Sequence, residues 1–237
     1  MNFRNILLGI IVLVILYLVY IWIFQDATSA SLYNGGNAKN EAIINATQLP
    51  GNKTSIDFTF SIWIYVNSWQ YRYGVPKIIY TRFDKKGNSV APEVALAGST
   101  NDLSITMTTY PARGSQDIST PNTWTVHNIP LQKWCNIIVS TNNRAVDTYI
   151  DGKLVNTHVL KGVPKLINPS PIVVTPNTGF SGETSKLKYF ARTINPREAY
   201  EIYREGPGGN WLTDLITQYK IKLSFLKDNE EINSFEI

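Results

Sequence analysis

The sequence predicts an all-β protein: a two-sheet antiparallel sandwich with one short α-helix, preceded by a single transmembrane helix. Three observations carry this. Residues 6–24 form an apolar run without a charge. From Ile56 onward apolar residues recur with a period of two, the spacing of side chains along one face of a strand. Turn residues then break the chain at short intervals, and aromatics reach 12%, with 13 Tyr and 6 Trp, a composition that favours strands.

The apolar run reads ILLGIIVLVILYLVYIWIF. At 1.5 Å per residue it spans roughly 28 Å, close to the thickness of a bilayer's hydrocarbon core. It lacks the polar stripe of a buried soluble helix. Tyr17, Tyr20 and Trp22 crowd its C-terminal end, where an interfacial aromatic belt belongs. A cleaved signal peptide is the rival reading, but the run is longer than a usual signal core and Arg4 alone supplies the basic flank. Residues 1–26 are therefore expected to be a membrane anchor, with Ile6, Trp22 and Phe24 in the span and a lipid bilayer as the first partner. Arg4 before the run and Asp26 after it tilt the topology toward a cytosolic N-terminus.

Residues 27–55, rich in Ser, Asn, Ala and Gly, read as a tether. Asn45 and Asn52 open glycosylation sequons there, which are used only in a chain that passes through a secretory lumen. Strand patterns follow at 56–66, 78–82, 103–110, 123–127 and 135–141. Two more, at 145–150 and 153–159, flank Asp151-Gly152, a strong two-residue hairpin signal. The segments 172–175 and 186–192 complete the set. Asn195, Pro196 and Glu198 then supply an N-cap, a first-turn proline and a capping-box acid, so a helix is expected up to Gly206-Pro207. The sandwich domain is accordingly 56–206. Residues 207–237 form a C-terminal extension: a hinge at 206–209, a short helix at 211–219 and a strand pair. That pair holds too much apolar surface to stand alone, so it is expected to join an edge of its own sandwich or, failing that, a neighbour's sheet.

Several motifs occur in a familiar order. The block NIPLQKWCNIIVSTNNRAVDTYIDGKLVNTHVLKGVP at 128–164 carries a Trp opening one strand and a YIDGKLV hairpin. A G-F-x-G-x-x-x-x-L-x-Y-F-x-R stretch follows at 179–192, and FTFSIWIYVNSW comes earlier. Together they resemble the laminin-G-like, concanavalin A-like lectin/glucanase superfamily. The resemblance implies a two-sheet antiparallel jelly roll. The layout of a short membrane span, this domain and a strand-rich tail further resembles membrane-associated structural proteins of large icosahedral DNA viruses, which would place the chain at a virion's internal membrane.

Chemistry is sparse. One Cys excludes an internal disulfide, and one Cys with two His leaves little for a transition-metal site. The net charge of +4 is scattered, with Lys85-Lys86 its only adjacent pair, so nucleic acid is not an expected partner. Glucanases of the resembled superfamily carry E-x-D-x-x-E on one strand, which aims the acids into one cleft; no such string occurs here. Glu198 reads as a cap, Glu201 and Glu205 as solvated, and Cys135 as a small core residue. No catalytic residue, metal ligand or cofactor is expected, with calcium left open through Asp102, Asp147 and Asp151. The candidate contact residues are Trp69, Tyr71, Arg72 and Tyr73, aromatic faces interleaved with hydrogen-bonding groups in one loop. Two functions follow: a non-enzymatic membrane-anchored interaction protein, in the viral layout a minor virion protein linking an internal membrane to capsid proteins, or a lectin-like module that binds a glycan.

Overall fold

In the computed structural model the described residues are 27–51, 56–84, 89–111, 120–165, 167, 169–208, 222–227 and 230–236, with scattered positions between 9 and 19. Strands β1 to β12 build the sandwich: Ser29–Asn37, Ala42–Ile44, Phe58–Ser68, Lys77–Phe83, Val90–Leu96, Leu103–Thr109, Thr120–Val126, Trp134–Asn142, Ala145–Ile150, Lys153–Val159, Ile172–Val174 and Ser181–Phe190. Helix α1 is Pro196–Arg204, and strands β13 and β14 are Lys222–Lys227 and Glu230–Glu236. One six-stranded sheet runs β1-β12-β3-β8-β9-β10, and the second runs β2-β11-β4-β5-β6-β7. Every pairing is antiparallel.

The core lies between the sheets. β3 contributes Phe60, Ile62, Ile64 and Val66, and β8 adds Cys135, Ile137 and Val139. Ile79, Val94, Leu96, Leu103, Ile105 and Met107 face them from the other sheet. The period of two in β3 is therefore the core face, as the sequence predicts. Its opposite face is buried as well, although its residues are partly polar: Thr59, Ser61 and Trp63 are covered. α1 causes this. Its Ala199 and Ile202 pack with Ile138, Tyr149, Phe190 and Ile194, and Tyr203 stacks on Trp63 at 5.6 Å. The polar groups beneath are hydrogen-bonded: Thr59 Oγ1 donates to Arg192 O, Asn136 Nδ2 to Ser61 Oγ, and Ile194 N to Ser140 Oγ. Burial without such partners would cost several kcal/mol per group, on the order of 1–3 each.

α1 begins as expected. Asn195 Oδ1 accepts from Glu198 N, and Glu198 Oε2 accepts from Asn195 N, a closed capping box. The β9–β10 turn is also as expected, with Asp151 at φ 50° and Gly152 at φ 73°. Gly152 has a second constraint: a Cβ there would lie 2.9 Å from Tyr203 Cβ and 3.0 Å from Tyr200 Cα.

Two expectations are corrected, and one strand is added. The stretch 27–55 is not a plain tether, since β1 and β2 lie within it and form an edge of each sheet. Gly35 is there for close approach: a Cβ on it would lie 2.4 Å from Thr184 O on the neighbouring strand. β5 is a further strand that the pattern did not show, because Pro92 and Ala91 break it. The structure keeps Pro92 out of the β5–β6 ladder, which starts at Glu93, so its missing N–H leaves no gap. The tail strands pair with each other in a two-stranded sheet of their own instead of extending the sandwich. The expected helix at 211–219 lies outside the described residues.

At the N-terminus the described positions are helical, and Val12, Leu13, Ile15, Leu16, Tyr17 and Val19 are all exposed. Among the described residues no helix is long and apolar enough to cross a membrane. Ile6, Trp22 and Phe24 lie outside the described residues.

Two predictions follow from this packing. Gly152→Val forces a side chain into α1 at a left-handed position, and chemical denaturation of the full chain should show a loss of about 2 kcal/mol or more. The second concerns the seam where β10 meets β7, at which His158 stacks on Trp124 with ring centroids 4.5 Å apart and 6° between planes. Burial lowers the His158 pKa from its ordinary 6.5. The unfolded chain thus takes up the proton first as pH falls. The stabilisation is complete above about 6.5 and is lost as the pH drops through that value toward the folded pKa. His158→Phe should flatten the fall in melting temperature between about pH 7 and 5; an unchanged slope would show that the seam does not titrate.

Candidate functional site

β3 ends at Ser68, and the chain returns to β4 through residues 69–76. Arg72 at φ 52° and Gly74 at φ 82° make the return tight. Tyr73 N donates to Gln70 O, Val75 N to Arg72 O, and Gly74 N to Gly98 O. The loop is thereby clamped to the β5–β6 connection.

The four candidate side chains share this loop but not one role. Tyr71 and Arg72 tie it down: Tyr71 Oη donates to Thr178 O at 3.2 Å, and Arg72 Nη1 donates to Asn177 O at 2.5 Å and to Gly179 O at 3.3 Å. Trp69 is half-buried and packs on the core, with the Lys77 ammonium 4.6 Å from its ring centroid. Tyr73 is 59% exposed and is the freest of the four. A second cation, Lys39, sits 4.6 Å over the Tyr71 ring.

Lys77 is a residue that pattern reading missed. It opens β4 and is 1% exposed, and its Nζ reaches Gly98 O at 3.5 Å. Burial, and then the nearby Arg72 guanidinium, hold its pKa below the ordinary lysine value. Its charge is carried by the Trp69 face rather than by a carboxylate among the described residues. A lysine beginning an alternating strand gives no sign in sequence that it will face inward.

Two open hollows meet at Asn67. One, of about 330 Å³, is lined by Val66, Asn67, Ser68, Trp69, Leu131 and Gln132. The other, of about 280 Å³, is lined by Asn37, Lys39, Tyr65, Asn67, Ser181, Gly182 and Glu183. Gly182 leaves its backbone bare here, since a Cβ would strike Tyr65 O. The first sets the Trp69 indole, Val66 and Leu131 beside Asn67, Ser68 and Gln132; the second holds two amides, the Ser181 and Tyr65 hydroxyls and two opposite charges. Such a surface can stack an apolar ring face and hydrogen-bond the groups around it. Of the expected contact residues only Trp69 lines it; Asn37, Asn67, Gln132 and Glu183 were not singled out from the sequence because they come together only through strand register.

The remaining candidates are engaged separately. Asp102 accepts from Thr100 Oγ1 and Asn128 N and lies 3.2 Å from His127 Nδ1, and those contacts hold its pKa down. That His–Asp pair was not legible in sequence. Asp147 accepts from Thr157 Oγ1, while Asp151 accepts from Asn136 N and Lys133. Among the described residues no three His, Cys, Asp or Glu side chains converge on one point. Glu198 is paired with Arg192, Glu201 with Arg197, and Glu205 with Lys188. Burial pushes the Cys135 thiol pKa up, which keeps it protonated. Asn45 is exposed and its side chain makes no cap bond; Asn52 lies outside the described residues.

Residues 25–199 match a family model described as the concanavalin A-like lectin/glucanases superfamily, of the laminin G type. No curated protein matches the chain. Among solved structures, it resembles the receptor-binding domain of botulinum neurotoxin D, with a TM-score of 0.55, 12% identity, and 75% of this chain against 43% of that one. It also resembles the binding domain of botulinum neurotoxin DC in complex with SialylT, with a TM-score of 0.52, 18% identity, and 75% against 42% coverage. The same toxin's domain in complex with rat synaptotagmin II gives 0.50, 17%, and 75% against 46%. The chain thus spans less than half of each of these structures. At these identities the likeness is one of fold. It lends nothing to a virion location or a capsid partner.

Removing the Arg72 tethers tests how the loop is held. Arg72→Ala should cost about 1–2 kcal/mol in stability. It should also raise amide exchange at Tyr73 and Gly74 more than at the β3 core positions; uniform protection would show that the backbone clamp alone suffices.

Proposed function

The chain belongs to the concanavalin A-like lectin/glucanase superfamily, and from that premise we propose that it is a non-enzymatic recognition module that binds a glycan in the groove centred on Asn67. The observation that carries this is the meeting at Asn67 of a hollow that holds the Trp69 indole with a second, more polar hollow. A sugar ring presents matching surfaces, with C–H faces and a hydroxyl rim. Glu183 is the sole carboxylate among the lining residues, whereas glycoside hydrolysis asks for two. That favours holding a glycan over cutting one. Two similar toxin binding domains, one in complex with SialylT and one with rat synaptotagmin II, lend support to a glycan first and a protein partner second.

The N-terminal apolar run completes the reading as an anchor in a bilayer. Register gives the separation between the start of β1 and the groove. β1 starts at Ser29, paired with Phe190, and ends at Asn37, paired with Glu183. The nine residues between cover about 30 Å. In this reading the anchor precedes the start of β1 at one end of the sandwich, and the groove lies at the strand's other end.

A glycan array probed with the full chain in detergent micelles tests the reading. Specific binding is expected, and Trp69→Ala should weaken it about tenfold or more, near 1.4 kcal/mol. Tyr73→Ala, outside the lining, should change it little. Binding should persist in a chelator, since the aspartates are engaged singly. An array without a specific hit, or binding indifferent to Trp69, would sink the glycan reading. Carbonate extraction of membranes checks the anchor: a chain released with the peripheral proteins is not embedded.

A further inference from the structure

Four strands end the two sheets: β1, β10, β2 and β7. β2 has three residues, β7 carries Pro121, and β1 is mostly small residues and glycine. β10 differs. It runs seven residues without a proline, and Leu154, Val155 and Val159 are 48%, 47% and 63% exposed. A bulge between Leu154 and Asn156 turns two consecutive aliphatic side chains outward. Edge strands of monomers are normally blunted by charge, proline or a covering segment. Here Lys153, at one end, is the strand's only full charge.

The same chain carries a strand pair in need of a neighbour. β13 and β14 form a sheet of their own, and two strands alone are marginal in water. Charge distinguishes which of them fits. β10 and its exit carry Lys153, His158 and Lys161 and no acid. β14 carries Glu230, Glu231 and Glu236 and no base, and it too has seven residues. β13 begins and ends with lysine. We propose that β14 of a second copy's C-terminal hairpin adds to β10, extending the six-stranded sheet across two chains. Within one chain the hairpin stays a separate sheet and β10 stays an edge. Reciprocal exchange closes the assembly with two-fold symmetry and leaves both sheets extended. The groove at Asn67 lies on the β1-β12-β3 side and stays open.

Cysteine cross-linking of full chains in detergent micelles tests this. Cys135 is buried and protonated, so it is a silent background. A chain bearing Val155→Cys, mixed with a differently tagged chain bearing Ser234→Cys, should form a disulfide-linked heterodimer under mild oxidation. Glu230→Lys with Glu231→Lys in the second chain should reduce the yield about tenfold, and Lys153→Glu with Lys161→Glu in the first should restore it. Failure to cross-link between chains overturns the proposal. So does a yield indifferent to charge reversal, or a double-cysteine chain that closes only on itself, which would place the hairpin on its own sheet.

Discussion

Strand β3 is covered on both faces, and the two coverings make different demands on the residues that meet there. On the core side the contacts are apolar and need only shape, as Phe60, Ile62 and Ile64 show. On the other side Thr59 and Ser61 are buried beneath α1 and the segment leading into it, and each needs a partner. They find them in Arg192 O, Ser140 Oγ and Asn136 Nδ2. The helix can lie on the sheet because most of that polar layer is hydrogen-bonded, with Asn136 Oδ1 left without a partner. The position of α1 in turn constrains the β9–β10 turn, through Gly152, and so the far edge of the sheet.

A second consequence appears where β3 ends. The strand delivers Asn67 to the boundary between two hollows, and the loop after it is pinned by backbone bonds and by Arg72. A pinned loop loses little order when a ligand arrives, which is the condition for a useful shallow site. Trp69 packs on the apolar core and also meets the buried Lys77 cation at its ring face. That arrangement keeps Lys77 tolerable in a nearly dry place, since the ring face supplies part of what water would have given.

The division between the two ends of the sandwich gives the molecule its polarity. β1 starts at Ser29, and the groove lies past its end at Asn37. The open edge at β10 lies across the sheet from both. The start of β1, the hollows at Asn67 and the β10 edge thus occupy separate surfaces of one sandwich.

Local pattern determined much of this by itself. The period of two named the core face of β3, Asp151-Gly152 named its hairpin, and Asn195-Pro196 with Glu198 named the start of α1, because each depends on neighbours a few residues apart. The family motifs between 128 and 192 located the sandwich for the same reason. What the sequence left undetermined depends on distant chain segments. Gly35 looked like part of a tether until Thr184 O was seen to need the space of its missing Cβ. Lys77 fell outside the strand pattern at 78–82, and only the fold shows it buried beneath the Trp69 ring. The groove draws on β1, β3, β12 and the connection before β8, and no spacing along the chain records that they meet. Strand order decided it, because hydrogen-bond register, rather than sequence separation, sets which side chains share a surface.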